Sequence, residues 1–375
     1  MRNLLRKHIE GKSIVWFLKS NQYVVLENLT ADILIDIDNN VTLEQISLAL
    51  SEQINVPIEE GLQFVSKIKR ELFDPNIQLS VASKETVSQQ KETSFEVTKF
   101  YTINDLVFRV DFQSEFEVYL IHPKFSHLET LPTEQVDHIY QVSTKNDITF
   151  LYIDNIFIDA WHRKEIHYFQ GKFSMHIVQN MHNKPENDWM GVFHASGVAN
   201  DSKSLLLLGD SGNGKSTSLA ILQANGLTCL ADDFVPIGIQ QQHVYTFPSA
   251  ISIKKNSLET LIPLYPELTN TAEFHFERLK KIVRFLPPKT IDYNLHLPCN
   301  DLVFIKYQKD SGLQFNSISK LEAFQKLVPD SWISKKLKNV DVFLNWFSNV
   351  NCYQLIYSEN DKMVNTVKSI LQNDL

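Results

Sequence analysis

Residues 209–217 read GDSGNGKST, with Gly209, Gly214, Lys215 and Ser216 in the fixed places of G-x-x-x-x-G-K-[ST], the Walker A or P-loop pattern. The flanks suit it. Leu205 to Leu208 is a short aliphatic run fit for a buried strand, and residues 216–225 can form a helix with Gly226 as its C-cap. A phosphate-binding turn needs glycines because backbone amides must point inward at the positive end of a helix, with no β-carbons in the way. On this reading Gly209, Asp210, Ser211, Gly212, Asn213, Gly214, Lys215, Ser216 and Thr217 enclose a nucleotide's phosphates. Lys215 adds a mobile charge for the β- and γ-phosphates, and the Ser216 hydroxyl can ligate Mg²⁺. The plain alternative is a glycine turn beside an exposed lysine.

Glycine usage supports the first reading. The chain has 11 glycines in 375 residues, yet six of them (Gly191, Gly197, Gly209, Gly212, Gly214 and Gly226) fall between 191 and 226. After Gly226, LTCLA reads as a strand ending in Asp232-Asp233, followed by FVPI. If that strand lies beside the one at 205–208, its end brings the acidic pair to the glycine loop, where ligands gather in such sheets. Two adjacent carboxylates can divide into a metal ligand and a base. Asp233 is expected with Ser216 on the Mg²⁺ and Asp232 as the base, with the two roles interchangeable. A surface Asp-Asp turn is the alternative.

The rest of the chain sets the frame. At about 150 residues per domain, this length suggests two or three domains. With 43% hydrophobic and 21% charged residues the composition is globular. No run approaches the roughly 18 apolar residues of a spanning helix, so no membrane association and a cytoplasmic location are expected. Lys and Arg number 36 against 44 Asp and Glu, a net charge of −8, which disfavours nucleic-acid binding. Cys229, Cys299 and Cys352 are too scattered for a disulfide framework or a zinc cage and read as buried thiols.

Residues 13–26 suggest two strands joined at Ser20, Asn21 and Gln22. Thr42 and Gln45 form a capping box ahead of Leu43, Ile46, Leu50 and Ile54, and Pro57 opens a second helix with Leu62, Val65, Ile68 and Leu72 on one side. From 79 to 94 (LSVASKETVSQQKETS) aromatics vanish, which reads as a flexible linker. Beyond it, Leu106, Phe108, Val110 and Phe112 alternate as in a strand, and Phe116, Val118 and Leu120 do the same. Asp154-Asn155 suits the turn of a hairpin over 148–161. Met363, Val364, Val367, Ile370 and Leu371 share one face of a final helix.

FHASGV (193–198), GDSGNGKST (209–217) and GLTCLADDFVPI (226–237), in this order and spacing, resemble the core of the HPr serine kinase/phosphorylase family, in particular its HPr-kinase-related branch. FPSAISIKKNS (247–257) and VRFLPP (283–288) extend the likeness, which covers roughly residues 95–375. The resemblance implies an α/β (α+β) fold, a mixed sheet around a P-loop as in phosphoenolpyruvate carboxykinase, and an ATP- and Mg²⁺-dependent kinase with His194 near the active site. Thr217 stands where those kinases carry a glutamate, and their arginine-glycine-rich second signature is missing. Neither HPr as substrate nor reverse phosphorolysis is therefore carried over. Lys254 and Arg284 are candidates to steady the transferred phosphate, and each reads equally as a solvated surface charge.

Residues 1–78 are similar to PqqD-like peptide-recognition domains, a small winged-helix-like α+β unit that binds leader peptides. The likeness rests on strand-strand-helix-helix order and on YVVLENLTADIL and TLEQISLAL. Three parts are thus expected. They are a peptide-binding domain at 1–78, a linker at 79–94, and a catalytic domain at 95–375 with a β-rich leading part (95–190) and a P-loop core (191–375). A leader peptide would add as a strand to the sheet edge, and a linker of about 16 residues, reaching roughly 20–25 Å, would raise the local concentration of the tethered substrate. The functional expectation is a kinase for a Ser or Thr hydroxyl of a peptide or small protein, such as a ribosomally made natural-product precursor, acting as a homo-oligomer. The alternatives are a kinase for a free amino acid or sugar, and a nucleotide-binding regulator that transfers nothing.

Overall fold

The structure, a computed structural model, describes residues 3–78, 94–276 and 281–374. The chain separates into two compact units, and their boundaries differ from those expected. Of the described residues, the first contains 3–78 together with 319–329 and 333–349, and the second contains the remainder. The expected linker lies, except for Ser94, outside the described residues.

In the first unit three antiparallel strands, Leu4–Ile9, Lys12–Phe17 and Gln22–Leu26, form a meander. The first strand escapes the sequence pattern because Arg6, Lys7 and His8 interrupt it. Helices Asn28–Asp38, Leu43–Ile54 and Ile58–Ile68 follow, and the Thr42/Gln45 capping box forms. Leu4, Val15 and Phe17 pack under these helices with Leu34, Leu50 and Val65. Lys12–Phe17 is nevertheless buried on both faces, Ile14 and Trp16 as fully as Val15 and Phe17. Two helices from the far end of the chain, Lys320–Leu327 and Leu337–Asn349, belong to this same unit. Tyr23 meets Phe324 and Phe343 edge-on, with ring centroids 5.7 and 5.8 Å apart. Glu10, held at φ 48° in the first hairpin, accepts hydrogen bonds from the Lys320 and Leu321 amides at 3.0 and 3.4 Å. A carboxylate at the first amides of a helix is favoured by their unpaired N–H groups and by the helix dipole.

The second unit is a mixed α/β assembly. A five-stranded sheet runs in the order Val97–Ile103, Leu106–Phe112, His138–Lys145, Ile148–Ile153, Ile156–His162. Asp154 and Asn155 both take positive φ, 49° and 67°, and form the expected hairpin turn. Phe116, Val118 and Leu120, expected in a strand, lie in helix Glu115–Phe125. Ser114 and Glu117 close a capping box there, a helix-start signal that overrides the alternation. The larger sheet includes Thr228–Asp232, Ser196–Ala199, Ser204–Leu208 and His296–Tyr307, adjacent in that order, with Asn351–Tyr357 parallel to His296–Tyr307. Strand 228–232 is thus one place away from 204–208 instead of beside it. Helix Lys215–Ala224 and the final helix Asn360–Gln372 cover a core that contains Leu205, Leu207, Leu219, Leu222, Val303 and Leu355, and the five expected residues of the last helix are all buried. All three cysteines are buried thiols outside any disulfide. Among the described residues no helix is long and apolar enough to cross a membrane.

Phe343 stands far from Tyr23 in sequence but within the same core. Phe343→Ala is expected to cost about 3 kcal/mol or more in denaturant unfolding and to weaken hydrogen-exchange protection of the Lys12–Phe17 amides. Unchanged exchange in that strand would show that the late helices do not support it.

Candidate active site

Strand Ser204–Leu208 is wholly buried, and its C-terminal end delivers the chain into the glycine loop. Gly209 has φ 139°, and a Cβ there would sit 2.8 Å from the Ile305 carbonyl oxygen on the neighbouring strand. Gly214 has φ 96° and passes close to Tyr307. Both positions therefore demand glycine. The loop is anchored from the next strand, since the Tyr307 amide donates to the Asn213 carbonyl at 3.0 Å, and Asn213 itself donates to the Asp210 carbonyl at 3.1 Å. Ser218 donates to the Gly214 carbonyl at 2.9 Å, and its hydroxyl lies 2.8 Å from that of Tyr357. Asp210, Ser211 and Gly212 are exposed at the tip.

Lys215 begins the helix, is only 6% exposed, and donates from Nζ to the Gly209 carbonyl at 2.5 Å. Burial pulls its pKa down, while the carboxylates of Asp233, Asp232 and Asp210 oppose that fall. One residue on, the Ser216 hydroxyl donates to Asp232 Oδ1 at 3.1 Å. Thr217 meets the Ser257 hydroxyl at 2.7 Å.

The two aspartates diverge. Asp232 ends its strand opposite Ser196 and is 2% exposed. Its Oδ1 accepts from the Ser196 hydroxyl at 2.6 Å as well as from Ser216, and its Oδ2 accepts from the Ser252 amide at 3.1 Å. Desolvation, then the adjacent Asp233 charge, push its pKa up to about 7, against the opposing pull of those three donors. Asp233 takes φ 63°, and its amide donates to the Ala195 carbonyl at 2.9 Å. That left-handed residue turns the next carboxylate out of the sheet and into a cleft of about 820 Å³, which the glycine loop, Ser216 and Thr217 also line. His194 Nδ1 lies 3.9 Å from Asp233 Oδ1. The contacts are thus the reverse of the expected pairing, with the Ser216 hydroxyl on Asp232 and Asp233 facing the open space.

The two later cations part company. Lys254 lines the cleft and donates to the Ser211 hydroxyl at 3.1 Å. Arg284 does not line it, a correction to the expected clamp. Its guanidinium bonds the Leu268 and Thr269 carbonyls and Glu273, the last at 3.0 Å. Strand parity explains this. In strand Lys281–Leu286, Val283 and Phe285 face the cleft, so Arg284 faces away, whereas Lys254 pairs with Val283 and shares its side. Ser196 and Ser252 were missed as carboxylate partners. The Ser252 contact uses the backbone amide, which any residue but proline offers, so no sequence signal marks it.

A buried carboxylate whose pKa is raised opposes folding once the unfolded chain has ionised. The native state keeps its proton between the ordinary aspartate value of 3.8 and about 7 while the unfolded chain loses its own, so stability falls as pH rises through that window and levels off above it. An asparagine can keep all three contacts, accepting from Ser252 and donating to the two serine hydroxyls. Asp232→Asn is therefore expected to raise stability at pH 8 by roughly 2–4 kcal/mol and to flatten the pH dependence between 4 and 7. Chemical denaturation across that range checks it, and equal stability of the two proteins at pH 8 would contradict the burial cost.

No family model matches the chain, and a search of curated proteins finds no match. Among solved structures the chain is similar to the HPr(Ser) kinase/phosphatase from Coxiella burnetii, at 10% sequence identity and a TM-score of 0.23, over 49% of this chain and 89% of that one. A TM-score that low defines no shared fold.

Proposed function

We propose that the chain is a phosphotransferase that moves the terminal phosphate of a nucleoside triphosphate, ATP above all, onto a Ser or Thr hydroxyl of a peptide or small protein. The observation that carries this reading is the 3.1 Å contact between the Ser216 hydroxyl and Asp232 at the start of the helix that Lys215 opens, with Asp233 facing the cleft alongside. It is supported by the resemblance of residues 193–237 to the HPr-kinase-related core.

The donor set fits Mg²⁺. Asp232 is a carboxylate whose pKa burial and the neighbouring Asp233 charge push up, and with Ser216 it offers two hard oxygen ligands. Ser216 and Asp232 would hold the ion, which when bound neutralises charge on the phosphate oxygens. The loop amides and Lys215 orient the phosphates, and Lys254 stands at the loop tip to steady the transferred group. Asp233 takes the proton of the acceptor hydroxyl as its oxygen bonds to the γ-phosphorus and the β–γ bridge breaks, leaving the nucleoside diphosphate with the bond's electron pair. His194 stands beside that carboxylate, 3.9 Å away.

Delivery of the peptide by the first unit is part of the same proposal. Among the described residues strand Gln22–Leu26 pairs within its sheet only with Lys12–Phe17, leaving a sheet edge to which an extended segment can add.

Lys215→Ala is expected to remove phosphoryl transfer from ATP by at least about 100-fold while leaving the far-UV spectrum intact, and Asp233→Asn to keep nucleotide binding but lower kcat by about 100- to 10,000-fold. Nucleoside diphosphate release and mass spectrometry of acceptor peptides read both. Transfer at the parental rate in either variant would sink the mechanism as drawn.

A further inference from the structure

We propose that Tyr307 is the platform on which the base of the donor nucleotide stacks, so that the protein favours a purine over a pyrimidine nucleoside triphosphate. This rests on the phosphotransferase reading and adds the part of the donor that a phosphate loop cannot read. The glycine loop leaves the carboxyl end of strand Ser204–Leu208, strand His296–Tyr307 lies parallel beside it, and Asn351–Tyr357 is parallel in turn. In such sheets ligands bind outside the carboxyl ends of the strands. Tyr307 stands at that end and against the loop. Its amide donates to the Asn213 carbonyl at 3.0 Å, and its Cβ lies 3.5 Å from where a Cβ on Gly214 would be, an ordinary contact distance.

The register fixes which way the ring goes. Tyr307 is paired with Tyr357, so the two side chains share a face of the sheet, the face on which Val303, Ile305 and helix Lys215–Ala224 build their core. Tyr357 is buried there, with its hydroxyl 2.8 Å from that of Ser218. Tyr307 is 49% exposed, and its ring meets Tyr357 edge-on, the centroids 5.5 Å apart and the planes at 73°. An aromatic ring on the helix side of the sheet is thus braced by its neighbour and open at the mouth of the phosphate loop. The strand order completes the argument. Asp232 ends a strand two places to one side of Ser204–Leu208, and Tyr307 ends the strand directly on the other side. Phosphoryl transfer sets the attacking and leaving oxygens roughly in line, so an acceptor activated by Asp233 requires the leaving diphosphate and its nucleoside to trail toward the opposite flank. That flank is where Tyr307 lies, and a two-ring base covers more of it than a one-ring base.

The test is calorimetric binding of ATP, CTP and inorganic tripolyphosphate, which has the phosphates without the base, to the full-length protein with Mg²⁺. Tyr307→Ala is expected to weaken ATP by about tenfold and CTP by less, and to leave tripolyphosphate at its parental affinity, which also shows that the loop is still folded. Tyr307→Trp is expected to restore ATP binding, and the fluorescence it adds to that of the parental protein to be quenched by ATP but not by tripolyphosphate. Equal losses for ATP and tripolyphosphate in Tyr307→Ala would overturn the proposal. So would parental ATP affinity in that variant, and if Lys215→Ala still loses ATP the phosphotransferase reading then stands without it. Failure of the parental protein to bind either ATP or tripolyphosphate would remove that reading and this proposal with it.

Discussion

Asp232 is a carboxylate with almost no water, held by the side chain of one neighbouring strand, the amide of another and the first turn of a helix. Each of its three partners has its own reason to be where it is. Ser196 is the cross-strand neighbour, Ser252 belongs to a strand that leads out to the cleft wall, and Ser216 is fixed by the glycine turn. Because the acid is costly to ionise there, its charged form is stabilised by any positive charge brought close to it.

The glycine turn was legible in the sequence because its constraints are local. Positive φ at 209, 212 and 214 and the close approach of the Ile305 carbonyl to Gly209 leave glycine as the residue that fits, and the following lysine and serine inherit their places from the helix start. The presence of Asp232 and Asp233 was equally legible. Their different surroundings were not, since these depend on the left-handed conformation at 233 and on an intervening strand, 196–199, that separates 228–232 from 204–208. Residues Lys254 and Arg284 looked alike in the sequence and were separated by strand parity, which needs the register between 251–254 and 281–286.

Elsewhere the errors follow the same rule. Alternation at Phe116, Val118 and Leu120 was a true hydrophobic pattern assigned the wrong period, and the capping box at Ser114 and Glu117 carried the deciding information. The unbroken burial of Ile14, Val15, Trp16 and Phe17 hinted that the hairpin had a second cover, but nothing in the local sequence could say that helices beyond residue 319 provide it. Contacts between positions some three hundred residues apart leave no mark in either stretch alone.

That second cover has a consequence for how the chain is made. A ribosome adding about 5–20 residues per second takes roughly 15–60 s to go from Tyr23 to Phe324. During that interval the Trp16 side of the first sheet has no partner of its own, and the intervening strands must fold without drawing it into their cores. The first unit is therefore begun some three hundred residues before the segment that completes its core is made.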